Sequence, residues 1–171
     1  MLDFYVKNED TEIIRHFENH SFTAYLCPAG VWTISYGLTG PGIVKGLVID
    51  QKQSDSMFNE RVFSFASRVR TLVKTQIQKH QFIALLDFAW NLGTGALSGS
   101  TLLRYVNNEL QWASTDTSQM NAIKNQFLKW RFTKKIPLRG LIRRRLAEAH
   151  LYETGILKTD WSIDIINTYM R

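Results

Sequence analysis

Between Thr11 and Leu38 the spacing of apolar residues changes from a helical to an alternating pattern within a few positions. That switch limits what the chain can fold into. Asp10 or Thr11 can cap a first helix in which Ile13, Ile14 and Phe17 share one apolar stripe. The stripe ends near Asn19 and His20. From Ser21 onward Phe22, Ala24 and Leu26 alternate, Cys27-Pro28-Ala29-Gly30 turns the chain, and Val31 to Tyr36 runs as a second strand. A short helix followed by a hairpin, with long helical patterns after it, reads as a small β lobe and a helical remainder.

Three polar residues in this stretch lie on three different segments. Glu18 falls in the last turn of the first helix, where exposed carbonyls disfavour negative charge and so favour a neutral acid. Cys27 closes the first strand and Thr33 opens the second, so the hairpin can fold both back toward the helix end. A neutral carboxylic acid can protonate a leaving group. Glycoside hydrolysis pairs such an acid with a group that positions or activates water, here Cys27, Thr33 or both. The plainer readings are a solvated surface glutamate and a cysteine used as a small buried hydrophobe.

The rest of the chain is read as follows. Gly37, Gly40, Pro41 and Gly42 make a loop, and residues 43–49 form a third strand of a small β lobe. Asp50 and Gln53 resemble a capping box at the start of a long helix over 51–70, with Met57, Phe58, Val62, Phe65, Ala66 and Val69 on its apolar face. A strongly apolar helix over 78–91 is the central buried element, stopped at Gly93. Residues 95–99 read as a loop, and Ser100 or Thr101 caps a short helix. Residues 114–118 form a polar break and 121–130 a helix. Residues 134–140 read as a basic loop and 141–154 as a last long helix. The apolar tail, with Trp161, Ile166 and Tyr169, packs back on the body.

The chain of 171 residues is 44% hydrophobic, enough for a sizeable core in one domain without disulfide support. Cys27 is its single cysteine, which excludes an internal disulfide. The net charge of +6 favours polyanions, among them nucleic acid, anionic membrane and envelope polymers. No nucleic-acid-binding motif is present. Charges at Asp3, Lys7, Glu9, Asp10, Glu12 and Arg15 leave no room for a signal-peptide core, and no run is long enough to span a membrane. No cofactor or metal is expected.

The spacing Glu18, eight residues, Cys27, five residues, Thr33 resembles the motif of the bacteriophage lysozymes (endolysins) of glycoside hydrolase family 24, a Glu, an Asp or Cys, and a Thr. The run AYLCPAGVWTISYG matches that family's hairpin. Three further blocks, VIDQKQSD, QFIALLDFAWNLGTGALSGSTLL and RGLIRRRLAEAHLYETG, resemble its linking, central and C-terminal helices. The likeness covers roughly residues 11–155. It implies a lysozyme-like α+β fold in a single domain. The β lobe would cover roughly 18–50, the linking helix 51–70 and the helical lobe 71–171, with substrate in the cleft between lobes. It also implies hydrolysis of the β-1,4 bond between N-acetylmuramic acid and N-acetylglucosamine in peptidoglycan, causing host lysis. Glu18 would be the general acid, and Cys27 and Thr33 would hold the attacking water. A monomer kept in the host cytoplasm, then released to the cell wall through a holin-type pore, follows from the same likeness.

The chain departs from the family pattern at several places. Cys27 stands where many members have Asp. A free thiol with pKa near ~8.5 is only a few per cent ionised at neutral pH, so base, water-positioning and nucleophilic roles all stay open. Leu38 replaces a usual His, at the expense of a local polar contact rather than activity, and Asn19 and Ser35 stand where Gly is common. Arg143, Arg144 and Arg145 have three readings: pairing with Glu148 one turn on, reaching the Glu18 region (as Arg139 also could), or an envelope-binding patch. Trp90 and Asn91 end the central helix on its cleft side, with Trp90 in the core. The competing functions are a lytic transglycosylase on the same bond and a non-catalytic wall-binding module.

Overall fold

The computed structural model describes residues 4–110 and 116–170, with backbone alone for 116–121. Two compact units divide the chain. One is Val6–Ala66; the other comprises the residues up to Tyr5 together with Ser67–Arg171.

In the first unit a 3₁₀ turn, Asn8–Thr11, leads into helix α1, Glu12–Phe17. Ile13 and Ile14 are buried, as the stripe requires. Strands β1, Ser21–Leu26, and β2, Trp32–Ser35, form an antiparallel hairpin in which Tyr25 faces Thr33 and Leu26 faces Trp32. The register shifts between Ser21 and Tyr25, so the alternation of Phe22, Ala24 and Leu26 buries Ala24 alone and leaves the two larger side chains exposed. The strand expected over 43–49 does not form. Gly42 and Gly46 hold φ of +86° and +84°, outside the extended region, and the segment contributes one bridge, Thr23 to Val48. The link is tied by Ala24 N–H to Leu47 O at 2.8 Å and Ile49 N–H to Phe22 O at 2.9 Å.

Helix α2, Gln51–Leu72, begins at the expected capping box: Gln53 N–H donates to Asp50 Oδ1 at 2.7 Å, and Asp50 N–H to Gln53 Oε1 at 2.9 Å. Its buried positions Phe58, Val62, Ala66 and Val69 recur at helical spacing.

The second unit is built on α3, Lys79–Leu92, in which every residue from Phe82 to Ala89 is buried. Gly93 caps it. Residues 94–98 are not a loop but a short helix, α4, Thr94–Ser98, followed by α5, Thr101–Val106, whose N-cap Ser100 accepts Leu103 N–H at 3.0 Å. Of the expected polar break, residues 114 and 115 lie outside the described residues. The helix after it, α6, Asp116–Leu128, starts earlier than its apolar pattern indicates. The basic loop of residues 134–140 is in fact a two-residue-turn hairpin, β3, Phe132–Thr133, and β4, Ile136–Pro137. Helix α7, Arg139–Thr154, packs on α3 and α6. The tail forms α8, Ile163–Thr168, and seats Ile166 against Leu128, Ile142 and Leu146, with Trp161 and Tyr169 packed around it, while Ile163 and Ile165 stay exposed.

Candidate active site

Helix α1 ends one residue before Glu18, so the carboxylate is on the C-cap rather than in the last turn. Its backbone is extended (φ −96°, ψ 138°), and its N–H closes the helix on Ile14 O at 3.1 Å. The side chain is half-buried and rests beside Gly37, where a Cβ would come within 3.5 Å of Glu18 Oε2. Gly37 holds φ +78° in the turn after β2, so any other residue there would strain the backbone and press on the carboxylate.

Cys27 and Thr33 come together. The turn 27–30 is closed by Gly30 N–H to Cys27 O at 2.8 Å, and Cys27 N–H donates to Val31 O at 3.0 Å. With Tyr25 opposite Thr33, residues 27 and 33 become diagonal neighbours on one hairpin face. Thr33 is buried, and its hydroxyl donates to Val31 O at 3.0 Å. The Cys27 thiol is held below its ordinary value, first by the Val31 N–H, then by the Ala29 N–H, with the Thr33 hydroxyl adding to them. The Thr33 hydroxyl carries one proton and has two acceptors in reach, the Val31 carbonyl and the Cys27 sulfur.

A polar network that the sequence reading missed braces this hairpin. Ser54, on α2, lies with its Oγ 2.7 Å from Ser35 Oγ and 2.9 Å from His20 Nε2. Ser35 and Ser54 are fully buried. The His20 ring is tilted against Tyr36, centroids 4.4 Å apart, and meets Phe22 edge-on at 4.5 Å. Arg15 spreads over Tyr36 and Phe58 and donates to Asp55 Oδ1 at 2.9 Å. Asp55 is held low, first by the Gln51 amide and then by Arg15. Ser35 has φ +55°, which explains why Gly suits that position; here the hydroxyl bond to Ser54 accompanies the strain. The available signal was the substitution itself, a serine at a position favouring glycine.

The arginine run divides. Arg144 forks onto Asp87, Nε to Oδ2 at 2.9 Å and Nη2 to Oδ1 at 2.8 Å. Arg145 is completely buried and bonds Glu148 and Asn91, with its guanidinium 5.0 Å from the Phe88 ring centre. The first reading, pairing with Glu148, therefore holds for Arg145, and Arg144 Nε also lies 4.0 Å from that carboxylate. Arg143 is exposed, and Arg139 reaches Asn167 Oδ1 at 3.4 Å. Burial pushes the Glu148 carboxyl well above the usual range, against the pull of Arg145. Among the described residues no group of three His, Cys, Asp or Glu side chains is placed to hold a metal ion, and no helix is long and apolar enough to cross a membrane.

An α+β chain with one dominant buried helix, a helix-capping carboxylate and a hairpin carrying a thiol and a hydroxyl matches the lysozyme-like architecture that the sequence resemblance implies. Comparison with known proteins agrees. The phage lysozyme family pattern matches residues 15–148. An endolysin of Acyrthosiphon pisum secondary endosymbiont phage 1 is 29% identical over 88% of this chain and 99% of its own length. An endolysin of Bacillus phage B103 is 32% identical over 84% of this chain, which spans 52% of that relative. The muramidase domain of SpmX from Asticaccaulis excentricus superposes with a TM-score of 0.75 at 26% identity, covering 89% of this chain and 99% of that domain. The chain belongs to the phage lysozyme family. It is a peptidoglycan-hydrolysing endolysin, a lysozyme-type enzyme of helical lobe and small β part that acts on the cell wall.

Proposed function

We propose that Glu18, Cys27 and Thr33 are the catalytic residues and that the bond cut is the β-1,4 link between N-acetylmuramic acid and N-acetylglucosamine. Glu18 donates its proton to the glycosidic oxygen as the bond to the muramic C1 breaks. Water, held by the Thr33 hydroxyl and the Cys27 sulfur, attacks C1 and passes its proton to the thiolate. The observation that carries this reading is the pairing of Cys27 with Thr33: the Val31 and Ala29 N–H groups favour the thiolate, so the sulfur can act as the water's acceptor. Family membership and the spacing of the three residues support it. The chain is read as one lysozyme domain over 1–171, active as a monomer, held in the host cytoplasm until a holin-type pore gives access to the wall.

Glu18→Gln removes the acid at nearly constant shape. It is expected to abolish release of reducing ends from purified peptidoglycan, with loss of at least ~100-fold, the usual scale for a general acid. Mass spectrometry of wild-type products is expected to show reducing muramic ends. Undiminished clearing by the variant would refute the acid assignment, and 1,6-anhydro ends would transfer the reaction to the transglycosylase class.

A further inference from the structure

From residue 117 to residue 147 the sequence contains nine lysines and arginines and no aspartate or glutamate. Two of the nine, Arg144 and Arg145, are buried in ion pairs. The β3–β4 hairpin lies in the middle of this stretch. Its register, Thr133 opposite Ile136, leaves Lys134 and Lys135 as a two-residue turn, with φ of +49° and +67°. Two successive left-handed residues make a type I′ turn, which Asn-Gly favours and which long side chains adopt only under strain. Strain kept at an exposed tip calls for a functional reading. Both lysines are exposed, and no ion pair among the described residues engages them. Beside them two apolar side chains on one face of the hairpin are exposed, Ile136 at 63% and Leu138 at 42%, while Phe132, opposite Pro137 on the other face, carries the Arg131 guanidinium 4.2 Å from its ring centre. Arg139 and Arg143 extend the charge along the first turns of α7.

We propose that this hairpin is a docking surface for anionic phospholipid bilayers. Lysines at the tip match phosphate headgroups, and Ile136 and Leu138, on one face of the hairpin, enter the apolar boundary just beneath, an arrangement a purely anionic wall polymer would leave half unused. Docking is peripheral and reversible, and it involves no spanning segment. It would hold the enzyme at the membrane faces that border its wall substrate. The proposal does not depend on the catalytic roles given above, so the Glu18→Gln variant is expected to bind vesicles as wild type does.

The test uses the full chain and sedimentation with vesicles of phosphatidylcholine, with or without phosphatidylglycerol, at fixed salt. Wild type is expected to bind only the anionic vesicles. Lys134→Asn with Lys135→Gly restores the turn's favoured residues. That double variant is expected to melt at a higher temperature yet partition about 25-fold more weakly, about fivefold for each lysine. A residue of purely structural purpose could not give that combination. Ile136→Ser keeps every charge and is expected to weaken binding to the same vesicles. Binding unchanged in the double variant overturns the proposal, as does an Ile136→Ser variant that binds like wild type. Weakened binding confined to purified peptidoglycan, with vesicles unaffected, also overturns it and assigns the hairpin to the wall polymer.

Discussion

Arg144→Met tests whether the buried ion pair on the central helix stabilises the fold. Asp87 is fully buried, and two bonds from one guanidinium, 2.9 and 2.8 Å, are directed at its two oxygens. Removing Arg144 alone takes from the fully buried Asp87 the fork that engages both its oxygens, and breaking a buried pair in this way costs about 3–5 kcal/mol. In a chain of this size each kcal/mol moves Tm by about 2–4 °C, so a drop of roughly 6–20 °C is expected. Asp87→Leu alone removes the carboxylate that the buried Arg144 forks onto and is expected to be similarly harmful. The double variant leaves the Arg145–Glu148 contact in place and replaces the Arg144–Asp87 pair by apolar side chains. It is expected to recover most of the loss. Reversible urea unfolding gives the four free energies of the cycle. Adding salt is expected to change the coupling little, because the pair is shielded from solvent. A loss below about 1 kcal/mol in Arg144→Met, or a double variant as unstable as the two singles added together, would refute the reasoning.

Two further predictions concern titrating groups. The rate of Cys27 alkylation is expected to rise with pH around a midpoint below that of a free cysteine, about 8.5, and to move upward in Thr33→Val, which removes one of the donors to the sulfur. A midpoint at or above the free value would remove the thiolate from the mechanism. As a companion, Cys27→Asp is expected to retain substantial activity on purified peptidoglycan and Cys27→Ala to lose most of it. For Glu148, burial raises the folded value above the unfolded one of about 4.3. A raised acid contributes stability that is full below the unfolded value and lost as pH rises through the folded one. The Tm of wild type minus that of Glu148→Gln is therefore expected to fall with increasing pH above about 4.3, and a flat difference would show that the carboxyl is not shifted.

Local signals carried most of the architecture into the sequence. The caps at Asp50 and Ser100, the glycine stop at Gly93 and the period switch at Ser21 all depend on neighbours a few residues away, and each is where it was expected. The expected strand over 43–49 failed because its apolar residues are punctuated by glycines that turn the backbone. The hairpin over 132–137 was missed because its strands are two residues long and its turn holds Lys-Lys in place of the usual Asn-Gly.

Partners distant in sequence were the least legible. His20, Ser35 and Ser54 lie on three segments, and no local pattern joins them. The buried arginines differ, because their partner could have been read. Between Phe82 and Ala89 seven of the eight positions are apolar and Asp87 is the exception. A helix that apolar inside gives an aspartate no solvated side to turn to. Such a carboxylate must be neutralised or matched by a cation from elsewhere in the chain. The last long helix supplies three arginines in succession, and successive helix positions lie about 100° apart, so all three cannot face solvent at once. A misplaced acid on one buried helix and surplus cations on another predict each other. By the same logic Arg143, the arginine that stays exposed beside two buried ones, belongs with the lysines of the adjacent hairpin rather than with the core.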